Sequence, residues 1–301
     1  MKLLNEIDPG ASAAAAPAGA TVHVVKPLPP APGAETREGE ARPESLQIEY
    51  SSTQVMADAL VRLQRTHGVV KMDRSALAES FKMLRNQVLQ RMRLDGHTVL
   101  AVTSPRRIEG KSLTAVNLAL SIAADYDSAV LLVDADLTGQ GLQTLFGLGG
   151  SRGLAEHLMH GVPISELLVN PGVPRFVLLP AGQRAVLNSA ELLATKTAQQ
   201  LVREMKQRYQ DRYIIVDLPA LLDTADTLAF LPQADTTLVV VEEHTSSIRD
   251  METMAELLAP FNLLGTVMSR ARQTDKVRGA ARQPWYRRWA GKNKGGTQGD
   301  R

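Results

Sequence analysis

Gly110-Lys111-Ser112 stands where an apolar run, TVLAVTS at 98–104, gives way to the amphipathic stretch SLTAVNLALSIAADY. A glycine, a lysine and a hydroxyl at a strand-to-helix turn form the working end of a phosphate-binding loop. Amide N–H groups at the helix start face the anion, Lys111 reaches the outer phosphates, and Ser112 is placed to ligate magnesium. The general pattern carries glycine five residues before Gly110, where this chain has Pro105. The tripeptide alone is also compatible with an ordinary turn holding a chance lysine. Two further signals sit at the ends of apolar runs: Asp134 and Asp136 in LLVDAD, and Asp217 in IIVDLP. Carboxylates there are costly without a partner, and magnesium with its waters supplies one. Either aspartate alone could equally start a turn or cap a helix. Three such signals in this order argue against coincidence.

The elements that must position these groups alternate strictly. Apolar runs at 98–104, 129–136, 175–182, 213–219, 236–243 and 263–270 read as strands, with helical periodicity between them, including 189–210 and 246–261. Near-continuous apolar strands separated by helices predict a three-layer α/β/α fold around a mostly parallel sheet, buried on both faces. Its strand C-termini would form one ligand crevice holding all three motifs. Upstream, Asp73 or Ser75 is positioned to cap a helix with Leu77, Phe81, Leu84, Val88 and Met92 on one face. Residues 1–45, rich in Ala, Pro and Gly, read as a disordered arm. Residues 46–72 read as a linker with a short helix near Val55–Gln64, 73–272 as the nucleotide-binding domain, and 273–301 as a flexible basic tail.

Composition narrows the setting. The 301 residues are 44% hydrophobic and contain no cysteine, which excludes disulfides and thiolate metal sites. The start, MKLLNEIDPG, is a poor secretory signal, and no apolar run approaches the ~20 residues of a membrane helix. The chain therefore reads as cytoplasmic. The net charge of +2 conceals an asymmetry: residues 270–301 hold ten basic residues against Asp275 and Asp300. A basic tail with Trp285, Tyr286 and Trp289 among Arg287 and Arg288 suits peripheral contact with a membrane interface or a protein groove, or is a plain solvated end. Nucleic acid is the less favoured partner. His157 and His160, three apart on an expected helix, lack further ligands and read as surface residues.

Taken together, AVTSPRRIEGKSLTAVNLA, VLLVDADL and YIIVDLPALLDTADTLA resemble the three Walker-type motifs of bacterial tyrosine kinases. These are exopolysaccharide- and capsule-associated autokinases built on the P-loop scaffold of the Min and chromosome-partitioning ATPases. ALAESFKMLRNQVL at 76–89 is similar to the Glu-x-x-Arg-x-x-Arg helix that assembles those kinases into rings. The likeness spans about residues 73–272. It implies ATP and Mg2+ as cofactors and a loop of Arg107, Ile108, Glu109, Gly110, Lys111, Ser112 and Leu113 around the phosphates. It also implies catalytic roles for Lys111, Asp134, Asp136 and Asp217. Asp134 would accept the tyrosine proton or face the metal, and Ser112, Asp134 and Asp217 would hold magnesium. Glu79, Lys82 and Arg85 would make contacts in a homo-oligomer, ring or dimer, and Tyr286 would be the autophosphorylation site. A membrane-embedded polysaccharide chain-length determinant, or activator, would recruit the protein to the inner face of the cell membrane.

The chain departs from that pattern at four places. Arg107-Ile108 replaces Pro-Gly, Thr138 replaces an arginine, Pro219-Ala220 replaces Pro-Pro, and the C-terminal tyrosine cluster is missing, leaving Tyr286 as the tail's sole tyrosine. Arg106 occupies the place of the Min-type signature lysine and reads as a solvated loop cation. The expected function is an ATP-dependent protein-tyrosine autokinase regulating polysaccharide synthesis and export. The alternatives are a Min/ParA-type positioning ATPase and a degenerate, non-catalytic assembly subunit.

Overall fold

A computed structural model describes residues 23–24, 54–65, 68–69, 75–107, 110–139, 141–208, 212–243 and 245–269. In chain order the elements are β1 (His23–Val24), β2 (Gln54–Val55), α1 (Ala57–Arg65), α2 (Ala76–Leu94), β3 (Val99–Thr103) and α3 (Lys111–Ala123). There follow β4 (Ala129–Asp134), α4 (Gly141–Phe146), α5 (Leu154–His160), β5 (Val169–Asn170), β6 (Phe176–Leu179) and α6 (Ser189–Leu193). The last are α7 (Lys196–Arg208), β7 (Arg212–Asp217), α8 (Asp226–Phe230), β8 (Thr236–Glu242), α9 (Ile248–Leu258) and β9 (Leu263–Ser269).

The strands form one sheet in the order β1-β9-β8-β3-β7-β4-β6-β5-β2. From β9 through β6 every neighbouring pair is parallel. The antiparallel pairs lie at the margins, β1 with β9 and β5 with β6. The apolar strands obey their two-residue period. Leu100, Val102, Val130, Leu132, Phe176 and Leu178 enter the core beneath α1, α2 and α3. Val99, Ala101, Leu131, Val133, Val177 and Leu179 enter the second core beneath α7 and α9. Burial on both faces is why the strands carry no polar alternation.

Three devices position the working edge. Ser75 caps α2, its Oγ accepting the Ala78 N–H at 3.2 Å, and Phe81, Leu84, Val88 and Met92 are buried on the expected face. Asp235, at the start of β8, accepts the N–H groups of Thr98 (2.9 Å) and Val99 (2.8 Å) and pairs with Lys206. It thereby joins β3, α7 and β8. At Gly153 an added Cβ would stand 2.0 Å from the Pro180 carbonyl oxygen, so two segments touch there backbone to backbone. Glu156 reinforces that contact by accepting the N–H groups of Gly153 (2.7 Å) and Gln183 (3.0 Å).

Three segments carry detail beyond the sequence reading. The short helix expected within 46–72 forms as α1, whose Ala59 and Leu63 are buried in the first core, and Gln54–Val55 before it adds strand β2, which pairs with β5. The run read as a disordered arm includes His23–Val24, paired with Met268 and Val267 of β9. The helical periodicity of 189–210 is broken at Ala194-Thr195, where Thr195 Oγ1 accepts the Ala198 N–H at 3.2 Å and starts a separate helix, α7.

Candidate functional site

The phosphate-loop turn is built as its sequence demands. Gly110 precedes α3 with φ of 79°, a left-handed conformation that glycine adopts without a Cβ penalty. The first bond of α3 runs from the Thr114 N–H to the Gly110 carbonyl at 2.9 Å, so Lys111, Ser112 and Leu113 carry the first-turn amides that bind anions. Leu113's side chain packs against the core, which leaves its amide as its contribution.

Folding brings the three motifs together. Asp134 and Asp217 are cross-strand partners in β4 and β7. Lys111 Nζ lies 3.6 Å from Asp217 Oδ1, 3.5 Å from Asp136 Oδ2 and 3.1 Å from Ser112 Oγ. Asp134 Oδ1 accepts the Asp136 N–H at 3.2 Å. Asp136 is held by its own turn, accepting from Thr138 Oγ1 at 2.9 Å and from the Gly139 N–H at 3.1 Å. Thr138, standing in place of the family's arginine, is therefore an orienting group for this carboxylate. A Cβ at Gly139 would come within 3.2 Å of Asp136 Oδ1, so the turn closes tightly on it.

The electrostatics are unbalanced. Burial pushes the Asp134 carboxyl well above its ordinary range, and nearby Asp217 and Asp136 push it further. Burial likewise raises Asp217, with Lys111 pulling against it. Burial lowers the Lys111 ammonium, but Asp217, Asp136 and Asp134 outweigh it and leave it raised. One ammonium faces three carboxylates. Asp134 Oδ2 and Asp217 Oδ1 are buried without a hydrogen-bond donor. Such orphaned oxygens are what a cation site requires. Among the described residues no group of three His, Asp or Glu side chains is arranged to hold a metal alone. The donor set suits magnesium, which takes one or two carboxylates and completes its shell with phosphate oxygens and water.

Other expected residues are placed differently. The Arg107 N–H, expected to face phosphate, donates to Asp223 Oδ2 at 3.1 Å. Arg106 is not a free solvated cation: it pairs with Asp223 (3.1 Å) and Asp250 (2.8 Å). Ile108, Glu109 and Tyr286, with the rest of the basic tail, lie outside the described residues. Glu79 and Lys82 pair with each other at 2.7 Å on an exposed face of α2, and Arg85 donates to Asn86 Oδ1 and to the Ser121 carbonyl. His157 Nδ1 lies 2.7 Å from the Val162 carbonyl oxygen, a local contact within the α5 turn. Asp223 and Asp250 were not anticipated. They lie 117 and 144 residues from Arg106, and no local pattern marks them.

Residues 96–269 match the family model ParA, described as NUBPL iron-transfer P-loop NTPase. The chain belongs to the ParA family of P-loop NTPases. Within this family its likeness is to bacterial tyrosine kinases. It is 31% identical over 208 residues to the succinoglycan biosynthesis transport protein ExoP of Rhizobium meliloti, covering 67% of this chain and 26% of that protein. It is 29% identical over 145 residues to the tyrosine-protein kinase CpsD of Streptococcus agalactiae, covering 48% of this chain and 62% of CpsD. The kinase domain of the Escherichia coli tyrosine kinase ETK superposes with a TM-score of 0.60 at 25% identity, covering 75% of this chain and 93% of that domain. The chain thus spans about a quarter of ExoP. Among the described residues no helix is long and apolar enough to cross a membrane.

Proposed function

We propose that this ParA-family protein is an ATP-dependent protein-tyrosine kinase that phosphorylates its own kind and regulates exopolysaccharide or capsule synthesis and export. The observation that carries this reading is the Lys111 ammonium set among Asp136 and Asp217 beside Asp134, with Asp134 Oδ2 buried without a donor and Asp217 Oδ1 facing only the ammonium at 3.6 Å. The likeness to named tyrosine kinases supports the choice of acceptor.

In this reading the first-turn amides of α3 and Lys111 grip the β- and γ-phosphates. Ser112, Asp134 and Asp217 would hold Mg2+, which when bound supplies charge neutralisation for the transferring phosphoryl group. Asp136, fixed by Thr138 and Gly139, keeps Lys111 from swinging away. Asp134 would take the proton of the tyrosine hydroxyl where it faces the acceptor rather than the metal. Tyr286 is the proposed acceptor, and Glu79, Lys82 and Arg85 are proposed subunit contacts. A membrane-embedded chain-length protein of the polysaccharide machinery would be the activating partner, recruiting this chain to the cytoplasmic face of the membrane.

The test is a phosphotyrosine mass spectrum of the full chain after incubation with ATP and magnesium. Labelled Tyr286 is expected, with labelling abolished in Lys111→Ala and Asp134→Ala. Labelling that survives Lys111→Ala would exclude this mechanism. ATP hydrolysis with no phosphotyrosine would instead favour a positioning ATPase of the Min type.

A further inference from the structure

The segment leading into the phosphate-binding loop lacks the glycine of the general pattern at position 105, and it is tied down unusually well. Ser104 Oγ donates to the Arg106 carbonyl at 2.7 Å. The Ser104 and Pro105 carbonyls accept the N–H groups of Leu221 (2.8 Å) and Leu222 (3.1 Å) from the chain after β7. The Arg106 guanidinium then spans two carboxylates from different elements. Nε and Nη2 donate to Asp250 Oδ1 at 3.0 and 2.8 Å, and Nη1 donates to Asp223 Oδ1 at 3.1 Å. Asp223 uses its second oxygen to accept the Arg107 N–H at 3.1 Å. Asp250 is itself fixed, because its second oxygen accepts from the α9 cap, Ser247 Oγ, at 2.7 Å.

We propose that Asp223 and Asp250 are positioning residues for the nucleotide site, acting through Arg106 and the Arg107 amide to hold the entry of the phosphate loop in its binding shape. Arg107 lies three residues before Gly110, so anchoring it fixes one end of a loop whose other end is α3. A glycine-rich loop is shaped by backbone freedom and by the phosphate it wraps. This loop begins with proline and two arginines, and the course of the chain through Arg107 is fixed by carboxylates outside it. A prearranged loop loses less conformational freedom when nucleotide arrives, which raises affinity with no new contact to the ligand. Arginine is the residue this bridge requires, since a planar guanidinium can address two carboxylates in fixed directions where an ammonium cannot.

This inference rests on nucleotide binding, not on the tyrosine-kinase step, so its readout is binding of MgADP by calorimetry to the full chain. Asp223→Ala and Asp250→Ala are expected to weaken MgADP about tenfold, with melting temperatures near that of the parent. Asp223→Asn retains an acceptor for the Arg107 N–H and is expected to recover part of that loss. Arg106→Lys is expected to behave nearly as poorly as Arg106→Ala. The double variant Arg106→Ala/Asp250→Ala should lose no more than Arg106→Ala alone, because Asp250 acts through Arg106. If Asp223→Ala fails to fold, the half-exposed Arg106 variants and Asp250→Ala decide the matter. MgADP affinities within twofold of the parent in Asp250→Ala and Arg106→Ala, or fully additive losses in the double variant, would overturn the proposal. Absence of phosphotyrosine together with intact MgADP binding would overturn the kinase reading and leave this one standing.

Discussion

Asp134 and Asp217 face each other across β4 and β7 as direct cross-strand partners, both 1% exposed and each with one oxygen lacking a donor. Two like charges in one buried crevice oppose folding, and Lys111 offsets them only in part. A pair held at a cost in stability fits the binding role proposed for it better than a role in holding the sheet together.

Asp134→Asn should accordingly stabilise the metal-free protein, by about 1–2 kcal/mol, while abolishing phosphoryl transfer. Urea denaturation beside the ATP-labelling assay checks both halves. An asparagine variant that is less stable than the parent would mean that the carboxylate is structurally paired.

Lys111→Ala removes the one cation among three carboxylates and should cost about 3 kcal/mol of folding stability as well as activity. Combining it with Asp134→Asn should recover much of that cost, since the excess negative charge is then reduced. Denaturation midpoints of the two single variants and the double variant measure this coupling.

Asp235 gives the pH-dependent prediction. Burial tends to raise its carboxyl, but Lys206 and the amides of Thr98 and Val99 outweigh burial and hold it below the ordinary range. A depressed carboxyl contributes stability that is fully present above the unfolded value of about 3.9 and is lost as pH falls through the lower folded value. Asp235→Ala should therefore cost about 2 kcal/mol near neutrality, with its deficit relative to the parent shrinking below about pH 4. Thermal melts of both proteins between pH 3 and 7 test it.

Leu63→Ala tests where the folded domain begins. A leucine in a linker would tolerate truncation, whereas Leu63 of α1 is completely buried in the first core. A loss of about 3 kcal/mol in urea is expected.

The central strands were readable from sequence because burial on both faces leaves continuous apolar runs, as in AVLLVD at 129–134. The three motif ends were readable for the same reason, since each follows such a run. The two-residue strands β1, β2 and β5 were not, being too short to show any period. Neither was the break at Thr195, where the apolar spacing continues across a turn made by a side-chain hydroxyl. The partners of Arg106 were hidden differently. Asp223 and Asp250 look like ordinary loop and helix-start carboxylates until folding sets them beside the loop. Glu79 and Lys82 were recognisable as a charged helix face, and within the described chain they neutralise one another.

The contact at Gly153 bears on how this sequence can drift. Its φ of −162° is open to any residue, so the restriction there comes from a neighbouring carbonyl and not from the torsion. In a saturation-mutagenesis library, alanine at 153 should be as damaging as tryptophan, since the first carbon already collides. Proximity of two main chains, invisible to any propensity scale, makes that codon immovable.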